Sequence, residues 1–161
     1  MVKKIAEVTL VLGLWVSLSG FMLGPPFRGS DALDALPPDA TVVVGVTHVT
    51  TGDDAEKNDL FWKHTNAVVA SLPSHQGYLG HKIRKQLFGN QAWTMTFWRD
   101  ETSLNDFVRG DTHGAAIQNG LAAVEKGRFV RFTVERSKVP LSWGEVETIM
   151  NEKGRDLYGP R

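Results

Sequence analysis

Between Gln91 and Leu121 the chain carries a strand and the helix that must cover it, and few folds accommodate that pair. Ala92-Trp93-Thr94-Met95-Thr96-Phe97-Trp98-Arg99 concentrates β-branched and aromatic bulk, which packs well only on a covered, pleated sheet. Asp100-Glu101 then opens a helical stretch with Leu104, Phe107 and Val108 facing inward. It breaks at Arg109-Gly110-Asp111 and resumes through Thr112-His113-Gly114. The interruption keeps His113 near the opening of whatever space lies between helix and sheet. An apolar pocket enclosed by sheet and helices is the expected result.

The flanking elements alternate. Residues 41–49 (TVVVGVTHV) are almost wholly β-branched and apolar, the pattern of an interior strand. Thr50-Thr51-Gly52-Asp53-Asp54 reads as a turn that caps a helix over 55–72, with Leu60, His64, Ala67, Val68, Ser71 and Leu72 on one face. In 78–88, Leu79, His81, Ile83 and Leu87 alternate with Gly80, Lys82, Arg84 and Gln86, as in a half-exposed strand. Gly89-Asn90 makes a hairpin turn into the aromatic strand. Beyond it, Asp100 or Thr102 caps a helix through Val108. Asp111 caps a second helix through about Glu125, and Lys126-Gly127 ends it. A strand over 128–137 and a helix over 142–153 complete the chain. The order is β-α-β-β-α-β with an extra C-terminal helix, a ferredoxin-like α+β fold with its helices on one face of the sheet. Both strand faces are apolar, and a bare face of valines and aromatics does not stay wet. Docking of a second copy, sheet to sheet, is the simplest cover, which predicts a homodimer closed as an α/β barrel.

The two ends read differently. Lys3-Lys4 precede a run from Ile5 to Leu23 that is apolar apart from Glu7, Thr9, Ser17 and Ser19. Roughly twenty such residues cross a bilayer, so 1–24 is expected to be a membrane anchor or, with Ser17-Leu18-Ser19 as cleavage site, a signal segment. The lysines place the domain outside the cytoplasmic membrane, or secreted or periplasmic if the leader is cut. Residues 25–39, with Pro25-Pro26 and Pro37-Pro38, read as a linker, 40–138 as the domain, and 139–161 as a C-terminal helix and tail.

Composition excludes several functions. At 161 residues and 42% hydrophobic, the chain buries one sizeable core. Eighteen basic and eighteen acidic side chains cancel, so no global field favours nucleic acid. Cysteine is absent, which removes disulfides, thiolate metal sites and cysteine nucleophiles.

The element order and the stretch Thr96-Phe97-Trp98-Arg99-Asp100-Glu101, through Ser103-Leu104 and Phe107-Val108 to Asp111-Thr112-His113, resemble the dimeric α/β-barrel superfamily. Within it they are most similar to antibiotic-biosynthesis-monooxygenase-like domains. The resemblance spans roughly 41–135 and implies a pocket between helices and sheet. Members include cofactor-independent oxygenases, haem-degrading enzymes and haem proteins. Haem-degrading members share an Asn on the first strand, and a Trp and a His on the second helix. Here 41–49 has no Asn, and Phe107 and Ile117 stand near the other two positions. Oxygenases without cofactor use Asn, Thr, Trp or His groups, and Asn66, Thr96, Trp98 and His113 are available.

The candidate site follows from these residues. His113, one turn inside a helix start, is the expected catalytic base near neutral pH. Trp62, Trp98, Thr96, Phe107 and His64 are the expected substrate-binding set for a small, flat apolar molecule. If His64 and His113 point into one cavity, they would hold haem iron or steer a phenol; otherwise no cofactor is expected. No histidine pair has the spacing of a helical zinc site, so no metal is expected.

Overall fold

The central strands of this protein, Thr41–Thr51 and Gln91–Trp98, are apolar on both sides, and the computed structural model, which describes residues 21–157, shows what covers them. Strands β1 (Met22–Leu23) and β2 (Arg28–Gly29) come first, then helix α1 (Asp31–Asp34) and strand β3 (Thr41–Thr51). Helix α2 (Ala55–Ser71) crosses over to the hairpin β4 (Tyr78–Gln86) and β5 (Gln91–Trp98). Helices α3 (Glu101–Arg109) and α4 (Asp111–Gly120) cross back to β6 (Val124–Glu135). Helix α5 (Trp143–Lys153) and β7 (Arg155–Asp156) follow. The central sheet order β4-β5-β3-β6, antiparallel throughout, is the ferredoxin-like arrangement. Helices α2 and α3 each start on an aspartate: Asp54 accepts from Lys57 N–H at 3.1 Å and Asp100 from Ser103 N–H at 2.8 Å.

Alternation along β3 sorts the core. Val42, Val44 and Val46 face one way, with Trp93, Met95 and Phe97 of β5 beside them. Val43 faces the other way, with Trp98, Tyr78, Leu72, Leu104 and Phe107, under α2 and α3. The first face carries the larger core, and it is covered within the chain. Leu33 of α1 is 4% exposed, Phe27 meets Phe97 edge-on at 5.4 Å, and Ser30 N–H donates to Leu79 C=O at 2.9 Å. From the far end, α5 lays Val146 and Met150 on the same face, both essentially inaccessible to solvent. A capping box between Ser142 and Glu145 starts this helix. Arg84, ion-paired with Glu147, sits between the rings of Trp93 (5.1 Å) and Trp143 (4.5 Å) and pins α5 to the sheet.

Four expectations change here. The stretch 25–39 is a packed strap, not a free linker, because its apolar residues find the bare sheet face. The tail from 139 covers the same face, so helices lie on both sides of the sheet. That face is closed within the chain, so a second copy is not what covers it. Finally, α4 stops at Gly120 and β6 begins at Val124, because β3 runs to Thr51 and needs a partner of its own length. Gly110, not Asp111, is the residue before α4, and Gly127 lies in the strand opposite Val49. A side chain at Gly127 would collide with Leu157, 2.6 Å from where its Cβ would stand.

The anchor or signal segment lies mostly in residues 1–20, outside the described residues. Its expected end at Gly24 moves back, since Met22 and Leu23 already pair with Gln86 and Lys85. No helix among the described residues is long and apolar enough to cross a membrane.

Candidate functional site

The face of the sheet under α2, α3 and α4 is built from smaller side chains than the other face, and a cavity of about 450 Å³ opens there. Its floor is Gly45, Thr94, Thr96 and His81; Phe61, Leu104, Phe107 and His113 roof it, and Arg131 contributes from β6. That volume falls within the range of sites for small organic ligands. Gly45, set among the valines of β3, is decisive. A Cβ there would stand 3.2 Å from Thr96 Oγ1 and 3.4 Å from Leu104, so any side chain would fill the floor. Thr96 Oγ1 donates to the Gly45 carbonyl at 3.2 Å.

His113 reaches this cavity because the break at Gly110 starts a new helix beside Phe107. Its Nδ1–H donates to the Val108 carbonyl at 3.2 Å, which leaves Nε2 as the unprotonated nitrogen. The ring meets Phe107 at 4.8 Å. Burial pushes the His113 pKa below its ordinary value; the Val108 bond opposes this, while the charges of Arg131 and His75 add to it. At neutral pH this is an uncharged imidazole with a lone pair, the state a general base requires.

His81 faces the same cavity from β4 and is only 4% exposed. Its Nδ1 lies 2.6 Å from the Tyr78 hydroxyl, which is also 3.4 Å from the Arg28 carbonyl. Burial raises the Tyr78 pKa, and burial together with Arg28 lowers that of His81. Both groups are therefore neutral near pH 7. The hydroxyl is placed to donate to the Arg28 carbonyl, and its short contact with Nδ1 fixes the His81 ring. Two neutral imidazoles then share an apolar cavity, with Arg131 on its wall. Arg131 is itself held by Asn105 Oδ1 at 2.6 Å and by Glu101 at 3.8 Å.

The six residues expected at the site divide. His113, Thr96 and Phe107 line the cavity together. Trp98 does not; it is fully buried beneath Phe107, ring centroids 4.9 Å apart, and supports that wall from behind. Trp62 lines a separate open groove with Asp53, Asn58, Asp59, Gly89 and Asn90, with Lys85 over its ring at 5.5 Å. His64, half-buried on α2, is not part of the cavity wall, so the two histidines expected to share haem iron are not brought together. Among the described residues, no group of three or more His, Cys, Asp or Glu side chains could hold a metal ion.

His81 and Tyr78 were missed for a local reason. Plain alternation along 78–88 groups Leu79 with His81, but the pairing of β4 with β5 shifts between Tyr78 and Gly80. That irregularity sends Leu79 to the opposite core and leaves His81 facing the helices. No residue type in the segment marks it in advance.

No protein-family model matches this sequence, and no curated protein matches it. Solved structures do. SnoaB, a cofactor-independent oxygenase from Streptomyces nogalater, superposes with a TM-score of 0.51 at 15% identity, over 63% of this chain and 99% of that one. An antibiotic biosynthesis monooxygenase gives 0.50 at 11% identity, over 56% of this chain and 95% of its own. The fold is that of antibiotic-biosynthesis-monooxygenase-like proteins. This chain also spans 48% of a longer Lactobacillus acidophilus protein, at 14% identity and a TM-score of 0.49. At these identities the likeness is one of fold. The share of this chain matched is about the size of the unit from β3 to β6. The strap and α5 lie outside that unit, and the cavity is lined almost wholly by it.

Proposed function

We propose that the cavity binds a small, flat aromatic molecule with an ionisable hydroxyl, and that the protein oxygenates it without a bound cofactor. The observation that carries this reading is His113: a neutral imidazole, Nδ1 tied to a backbone carbonyl, on the wall of an apolar cavity. Nε2 takes the phenolic proton. The anion passes one electron to O₂, and the resulting radical pair combines at ring carbon bearing hydrogen. The proton returns from His113 to give a hydroperoxide, which loses water to leave a quinone. Phenol plus O₂ thus becomes quinone plus water, with one oxygen atom in each product and all electrons supplied by the substrate. The charge of Arg131, on the cavity wall, stabilises the phenolate that starts the sequence. A positioned base of this kind contributes about 10²–10⁴ in rate. The likeness of fold to SnoaB, a cofactor-independent oxygenase, supports the reaction class.

The test is oxygen uptake by the purified full chain with a dihydroxy-aromatic compound. Turnover that falls in His113→Ala by the factor above supports the proposal; unchanged turnover removes His113 as the base. The largely apolar walls also suit a second reading, a non-catalytic protein that holds a hydrophobic metabolite. Tight aromatic binding with no oxygen uptake would favour that one.

A further inference from the structure

Four of the large hydrophobic side chains left exposed gather at one corner of the molecule. Phe21 and Leu23, at β1, are each 51% exposed; Leu87 and Phe88, in the β4–β5 hairpin, are 44% and 61% exposed. Backbone pairing holds them together, since Leu87 N–H donates to Phe21 C=O at 2.8 Å and Leu23 lies opposite Lys85. Leu60, Ile117 and Leu157 are the other large hydrophobics exposed among the described residues, and they stand on different elements. Single exposed apolar residues are ordinary, whereas a cluster on a hairpin tip marks a contact surface.

The chain indicates what covers it. Residues 5–20 are apolar except for Glu7, Thr9, Ser17 and Ser19, and Lys3-Lys4 precede them. They enter the fold at Phe21, which is the corner itself. Any lipid that takes up those residues is therefore brought within a residue or two of Phe88. We propose that this corner sits in the interfacial layer of a lipid bilayer, with Phe21, Leu23, Leu87 and Phe88 below the headgroups. The sheet then stands on its β4–β5 hairpin. Lys85 beside Leu23 is offset by Asp53 and Asp59, which line the groove that also holds Gly89 and Asn90. With one lysine set against two aspartates the corner carries no positive excess, so attachment is by apolar insertion and does not need anionic lipid.

The absence of cysteine makes a clean test possible. The full chain is placed in phosphatidylcholine vesicles with one nitroxide, at Leu87→Cys, at Phe88→Cys, or at Glu152→Cys on exposed α5. The two hairpin labels are expected to collide several-fold more often with oxygen, which concentrates in lipid, than with a water-soluble nickel chelate. The label at 152 is expected to show the reverse. Hairpin labels as open to nickel as the one at 152 would overturn the proposal, as would failure of the chain to join the vesicles. Hairpin labels shielded from both reagents would also overturn it, since protein, not lipid, would then cover the corner.

Discussion

The two faces of the sheet are made from the same strands and have opposite characters. On one, Val42, Val44, Val46, Met95 and Phe97 are packed to near-zero exposure under α1, the strap and α5. On the other, the neighbours of those residues are Gly45, Thr94 and Thr96, and space remains under the helices. The difference is one of side-chain volume at alternate positions. The first face holds the protein together; the second gives up packing to keep a cavity that presents two neutral imidazoles. Residues on the two faces should therefore fail in different ways when changed.

The largest effect is expected from Phe97→Ala. It removes a fully buried ring from the packed face and should cost about 3–5 kcal/mol in chemical denaturation. A loss under 1 kcal/mol would mean that the packed face does not carry the stability. His113→Ala is the counterpart across the sheet. It should lower turnover by about 10²–10⁴ while the unfolding midpoint changes little. Parallel loss of both would make His113 a packing residue. Gly45→Val should come next, since it fills the floor and presses on Thr96 and Leu104. A cost of about 1–3 kcal/mol is expected, together with loss of ligand binding. Binding that survives would place the ligand elsewhere.

The smallest effect concerns pH and separates the faces most finely. Burial is the leading cause that lowers the pKa of His48, His81 and His113. The unfolded imidazoles titrate near 6.5, so the unfolded chain binds more protons below that pH. Stability should be level above pH 6.5 and decline as pH falls toward the folded values, by at most about 1.4 kcal/mol per histidine per pH unit. His48 stacks on Trp93 at 4.1 Å on the packed side, while His81 and His113 face the cavity. His48→Asn should remove part of the decline and leave the pH profile of turnover unchanged. That profile should lose its rate only below pH 6.5, where His113 takes up a proton. A rate that rises on acidification would contradict a neutral base.

Much of the central unit was legible because its signals are local. The valine run of β3, the aromatic run of β5 and Asp54 and Asp100 at helix starts each announce themselves within a few residues. His113 was legible too, from the helix break before it, Phe107 from its inward place on the helix, and Thr96 through the resemblance to cofactor-independent oxygenases. The strap was not. Leu33 and Phe27 lie in a proline-rich stretch without periodicity, and they matter only through contact with Leu79 and Phe97 far along the chain. His81 was hidden by a pairing shift, and Trp62 was drawn to the wrong cavity by residue type alone.

The sequence by itself determined the order of elements, which side of each strand is bulky, and where one histidine interrupts a helix, since all three are set by near neighbours. Only the tertiary structure decided what covers the second face and which polar groups meet in the cavity. Those outcomes depend on contacts between residues distant in the chain, where apolar surface pairs with whatever complementary surface the fold brings to it.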